Sequence, residues 1–148
     1  MTLDMVYQPQ HYISGIFSGQ CIDVVEYVDF CRGNAIKYLW RYQQKNGVED
    51  IRKAAWYLER LSLRPENIIG SIPQNIRESL NDQAVAYSLS TGGKRDSTYH
   101  AMFSICLLAS LEDNTPSDIK VLTVMLAYNA TQTMLDLEEK KQRDIAVN

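Results

Sequence analysis

The chain has 148 residues, 45% of them apolar, with a net charge of −3 and a pI near 5.3. That length suits a single domain over residues 1–148, and that apolar fraction can fill a real core. The mild acidity gives no electrostatic footprint for polymeric nucleic acid. No run approaches the roughly 18 apolar residues of a membrane span, so no membrane partner is expected.

The first ten residues, MTLDMVYQPQ, carry an acid and no apolar run, unlike a secretory signal. Cys21, Cys31 and Cys106 are scattered and odd in number, which fits a reducing cytoplasm better than a disulfide frame or a CxxC metal site. Residues 1–19, with Pro9, Gly15 and Gly19, show no sustained period. A short apolar stripe, Ile22, Val25 and Val28, predicts a first helix over about 20–30. Gly33-Asn34 then reads as a break with Asn34 as an N-cap, and the second helix runs to about Lys45 with Ile36, Leu39 and Trp40 inward. Asn46-Gly47 is a stop signal.

A third helix begins near Val48. Ile51, Ala54, Ala55, Leu58 and Leu61 recur at amphipathic spacing. Glu49 and Asp50 in its first turn and Arg60 in its last suit the helix dipole. The turn between the second and third helices is short, so residues 34–61 should form an antiparallel hairpin. After a connector over 62–75, a helix is expected over about 74–89, then a loop at Ser90–Lys94. A helix from Asp96 or Ser97 to Leu111 is apolar almost all round, which predicts a central or oligomer-buried position. Thr115-Pro116-Ser117-Asp118 is a helix start. The long last helix carries a stripe of Ile119, Leu122, Leu126, Ala130, Met134 and Leu137, and a second of Val121, Met125, Tyr128 and Leu135. Two stripes exceed the needs of one small monomer and predict a homo-oligomer. The fold class is therefore all-α, with five to six helices.

The chemistry-bearing residues concentrate on the hairpin. Asn34, Lys37, Tyr38, Arg41 and Lys45 share one face of the second helix. Cations beside an amide and a phenol can clamp a phosphate, Arg by its planar fork and Lys as a point charge; the same pattern also describes a solvated basic face. Asp50, Lys53, Tyr57 and Arg60 on the third helix can lie beside it, as a continuation of the clamp or as an inter-helix ion pair. His11 is either a proton-transfer group, a phosphate contact or a surface residue. Asp23 and Glu26, a turn apart, either hold a divalent cation such as Mg²⁺ with substrate phosphates or form a solvated acidic edge. No zinc-type spacing is present. Thr91–Arg95 (TGGKR) fails the Walker A pattern, because Ser88 stands at its first Gly and Arg95 follows Lys94; it is a loop that could at most offer an anion site.

His11-Tyr12, Cys21-Ile22-Asp23, Gly33–Arg41 (GNAIKYLWR), Lys45, Glu49–Ala54 (EDIRKA) and Trp56-Tyr57-Leu58 together resemble the small phage nucleotide kinase-like proteins, over residues 9–61 only. The resemblance implies a helical protein of the bacterial host cytoplasm that phosphorylates deoxynucleoside monophosphates without a Walker motif. Carried over residue by residue, it implies His11, Asp23 and Asp50 in catalysis and Asn34, Lys37, Tyr38, Arg41, Lys45, Lys53 and Tyr57 in nucleotide binding. Tyr38 or Trp40 could stack on a base. Gln20 stands where the family pattern has an acid; a metal ligand or base lost there would remove turnover and leave binding. The alternatives are a non-catalytic nucleotide or nucleotide-signal binding protein, or a phage interaction protein that occupies a host factor through its apolar C-terminal helices. Residues 62–148 resemble nothing recognisable and are expected to serve as a helical extension.

Overall fold

The computed structural model describes residues 15–147, so His11 and Tyr12 lie outside the described residues. Within them the chain is all-helical: α1 (Ile22–Val25), α2 (Phe30–Arg41), α3 (Val48–Leu63), a 3₁₀ turn at Pro65–Asn67, α4 (Gln74–Ser90), α5 (Ser97–Ala109) and α6 (Ser117–Val147). None of these helices is long and apolar enough to cross a membrane. Helix α3 packs between α2 and α6, and α5 packs on α6, α4 and α2.

The predicted boundary between the first two helices is corrected. The break falls before Asp29, not at Gly33-Asn34. Asp29 is extended (φ −60°, ψ 161°) and its carboxylate accepts from the Arg32 N–H at 2.9 Å, which caps α2 five residues before the expected cap at Asn34. Gly33 lies inside the helix. A glycine there costs about 1 kcal/mol in propensity, but it lets Val25 and Val28 pack within about 3.6 Å of where a Cβ would stand. Asn34 is thus not a cap; its amide donates back to the Phe30 carbonyl at 2.8 Å. Helix α2 ends at Arg41, so Lys45 sits on the following turn. Gly47 closes that turn at φ 55°, a left-handed angle that suits glycine, and donates to the Tyr42 carbonyl at 2.9 Å.

Helix α3 follows its sequence pattern, with Ile51, Ala54, Ala55, Leu58 and Leu61 buried. Trp40, one of the largest buried side chains, meets Phe17 ring to ring at 5.3 Å and belongs to the core. Helix α5 is central, which accounts for its apolarity. Helix α4 is peripheral, with Leu80 its one buried residue.

The inward face of α6 keeps Ala130 and Met134 of the first predicted stripe and otherwise differs from both. It is Lys120, Val124, Ala127, Ala130, Thr131 and Met134, while Ile119, Leu122, Met125 and Leu126 are exposed. Ala127 and Thr131 are small enough for α5 to approach closely: the Ser104 hydroxyl donates to the Ala127 carbonyl at 3.2 Å across the helix pair. Lys120 is tolerated inside because its ammonium donates to the Ile68 and Asp113 carbonyls at 2.8 and 3.2 Å.

A second buried cation joins the two halves of the chain. The Arg32 guanidinium is fully enclosed. Its Nε donates to Asp29 at 3.1 Å, one terminal nitrogen to the Leu108 and Leu111 carbonyls at 3.1 and 2.9 Å, and the other to the Ile69 and Gly70 carbonyls at 2.8 and 2.6 Å. All five donors of the fork are therefore used.

Candidate functional site

Because α2 and α3 run antiparallel, the α2 face bearing Lys37, Tyr38 and Arg41 meets the α3 edge bearing Asp50, Lys53 and Tyr57. Tyr38 is the centre of the cluster. Its ring stacks on Tyr57 at 6.0 Å between centroids and 15° between planes. The Lys37 ammonium lies 4.6 Å from the Tyr38 centroid, the Arg41 guanidinium carbon 4.9 Å and the Lys53 ammonium 5.5 Å. Each is within cation–π range, so one half-buried phenol gathers three positive charges from two helices.

One carboxylate lies beneath them. Asp50 has no exposed side-chain surface; its Oδ2 stands 3.5 Å from Arg41 Nε and accepts from the Asn46 N–H at 3.3 Å, while its Oδ1 has no hydrogen-bond partner among the described residues. Arg41 is only 12% exposed. The ion pair with Asp50 holds Arg41 against the hairpin, and the buried Arg41 Nε makes no hydrogen bond among the described residues. Lys53 also meets Glu49 at 3.3 Å, an exposed pair worth little. Lys37 makes no ion pair among the described residues.

The remaining predicted residues are dispersed. Lys45 is exposed on the α2–α3 turn. The Asn34 amide is engaged by the backbone of its own helix. Asp23 is exposed and lines a separate cleft of about 270 Å³ with Gln20, Trp40 and Gln83. Among the described residues no group of three or more His, Cys, Asp or Glu side chains is placed to hold a metal ion. The loop at Thr91–Arg95 leads to a helix start capped by the Asp96 carboxylate, which accepts from Tyr99 N at 2.8 Å.

Cys21 packs behind the cluster. Burial pushes its thiol up to about 12, although Lys37 and Arg41 pull the other way. A thiol held neutral is not a nucleophile. Burial likewise raises Cys106, to about 11.

Two aromatic residues beside the cluster carry no assignment in the sequence pattern. Phe30 lies edge-on to Tyr57 at 5.9 Å and Trp56 edge-on to it at 5.0 Å, and they are 73% and 56% exposed. A helix that starts at Asn34 leaves Phe30 off this face; the observed start includes it. With the start at Phe30, the series Phe30, Asn34, Lys37, Tyr38 and Arg41 forms one helical stripe.

Residues 6–59 match the profile of a protein family of unknown function, DUF3310. No curated protein and no solved structure matches the chain. The family match ends within α3; it therefore covers the hairpin with its cation cluster and leaves α4, α5 and α6 outside, and the family's description carries no activity.

Proposed function

We propose that the α2–α3 hairpin binds a nucleotide through its phosphate, with Lys37, Lys53 and Arg41 as the clamp. The observation that carries this reading is the convergence of three cations on one tyrosine ring, against one enclosed carboxylate, Asp50, and one exposed one, Glu49, among the described residues. Preorganised positive charge is what phosphoryl groups need, both to bind and to transfer. The resemblance of residues 9–61 to phage nucleotide kinase-like proteins supports a deoxynucleoside monophosphate as ligand.

Binding is favoured over turnover by the placement of the acids. Asp50 is enclosed and committed to Arg41, and Asp23 lines a different cleft, so neither acid stands over the clamp. Asp50 acts here as a positioning residue.

Calorimetric titration with deoxynucleoside mono- and triphosphates tests the reading. Lys37→Ala should weaken binding by about one order of magnitude, since a charge-assisted hydrogen bond contributes roughly 1.5–3 kcal/mol. Arg41→Lys should lose about as much, because it keeps the charge beside Asp50 and loses the fork. Arg41→Ala is the wrong probe: it strands a buried carboxylate. Undiminished binding by Lys37→Ala and Arg41→Lys would defeat the clamp. Transfer of label from ATP to a monophosphate would move the protein from the binding class to the phosphotransferases.

A further inference from the structure

We infer that the ligand of this hairpin is a nucleoside phosphate whose base stacks on Phe30, with Trp56 and Tyr57 walling the shelf; the inference rests on the phosphate clamp proposed above. A clamp alone accepts any phosphorylated small molecule. What selects among them is the surface beside it, and that surface is aromatic. Phe30 presents most of its ring to solvent, and Trp56 more than half. Large apolar rings left this open at the edge of a cation cluster are suited to a planar partner that also carries negative charge.

The spacing agrees. Phe30 and Lys37 are two turns apart on α2, about 10 Å along the axis at 1.5 Å per residue. Ring by ring, Phe30 reaches Tyr57 at 5.9 Å and Tyr57 reaches Tyr38 at 6.0 Å, and the cations stand around Tyr38. A base on Phe30 thus leaves its phosphates over Lys37 and Lys53, with the sugar crossing near Asn34. The two residues first considered for stacking are otherwise occupied. Trp40 is enclosed in the core, and Tyr38 is packed between Tyr57 and the cations. Stacking of this kind tolerates any base, because every base has a π face, so the shelf selects a base over no base without choosing which.

Calorimetric titration of the full chain with dAMP, dTMP, ribose 5-phosphate, pyrophosphate and the oligonucleotide (dT)8 tests the inference. Both nucleotides should bind about tenfold tighter than ribose 5-phosphate, and Phe30→Ala should abolish that preference while leaving ribose 5-phosphate affinity unchanged. Lys37→Ala should weaken all the small ligands together. The exposed Phe30 makes its substitution safe for folding, which circular dichroism checks. Ribose 5-phosphate binding as tightly as the nucleotides, or a preference that survives Phe30→Ala, overturns the base shelf and leaves the phosphate clamp standing. Binding of none of the small ligands overturns both. An oligonucleotide that binds an order of magnitude tighter than dTMP overturns a free nucleotide as the ligand.

Discussion

Replacing Arg32 by Met keeps most of the side-chain stem and removes every donor, so it isolates the polar contribution of the buried guanidinium. Four backbone carbonyls and one Asp29 oxygen lose a hydrogen bond, though the Ile69 carbonyl keeps the Asp29 N–H and Asp29 Oδ1 keeps the Ile69 N–H. The Leu108 and Leu111 bonds are fully buried and the others partly. At about 1–3 kcal/mol for each buried acceptor left unsatisfied, those two carbonyls alone cost about 2–6 kcal/mol. Breaking a buried ion pair costs about 3–5 kcal/mol on its own, so about 4 kcal/mol is the working figure. Whole domains hold only about 5–15 kcal/mol. With a urea slope near 2 kcal/mol per molar, the unfolding midpoint should fall by about 2 M. Arg32→Lys should recover less than half, because three donors on one point cannot serve carbonyls on two sides. The control is Arg52→Met, which removes an exposed 2.8 Å pair with Glu139 and should cost under about 0.5 kcal/mol. An Arg32→Met midpoint within about 0.3 M of wild type would refute the argument that this cation joins the halves of the chain.

Two further outcomes are expected. The Cys21 and Cys106 thiols are raised from 9.0 to about 12 and about 11 by burial, so the unfolded chain releases these protons first. Their contribution is complete below pH 9 and is lost as pH rises from 9 towards 11, by up to about 1.4 kcal/mol per pH unit per thiol; Cys21→Ala should lose less stability than wild type between pH 8 and 10 in urea titrations, and an equal loss contradicts the assignment. Ile119, Leu122, Met125 and Leu126 remain exposed on α6, so light scattering at micromolar concentration should give more than the monomer mass and Leu126→Glu should restore the monomer; a monomeric wild type contradicts self-association.

The parts of the fold that could be read from sequence are those where a hydrophobic period and a turn signal agree. Helix α3 combines a clean stripe with Asn46-Gly47 before it, and its start and buried face match expectation. Gly33-Asn34 resembles a boundary in sequence but lies inside α2. Asp29, the actual cap, is chosen by a tertiary bond: its Oδ1 also accepts from Ile69 N at 3.2 Å, forty residues away. Helix α6 was rotated in expectation because hydropathy ranks Leu122 above Lys120, whereas the fold selects small residues for close approach and one lysine that carbonyls can satisfy. At the site, i, i+3, i+4 spacing identified Lys37, Tyr38 and Arg41, and the short turn brought Asp50, Lys53 and Tyr57 to them. Spacing could not tell that Asp50 would be enclosed or that Asn34 would turn to its own backbone, since both depend on which way the hairpin faces the rest of the chain.

The donors of Arg32 bear on how the hairpin can be inherited. The family match ends at residue 59, yet four of the five acceptors that Arg32 uses come from Ile69, Gly70, Leu108 and Leu111. Excised at that boundary, the segment would expose an arginine built to be enclosed and would lose the carbonyls that neutralise its hydrogen-bonding demand. It is therefore a graft that needs a rootstock. Any chain that borrows this segment must offer an equivalent ring of carbonyls from its own remaining half, or place a different residue where Arg32 stands. The composition of that single position should vary in step with whatever follows the hairpin, independently of the cations around Tyr38.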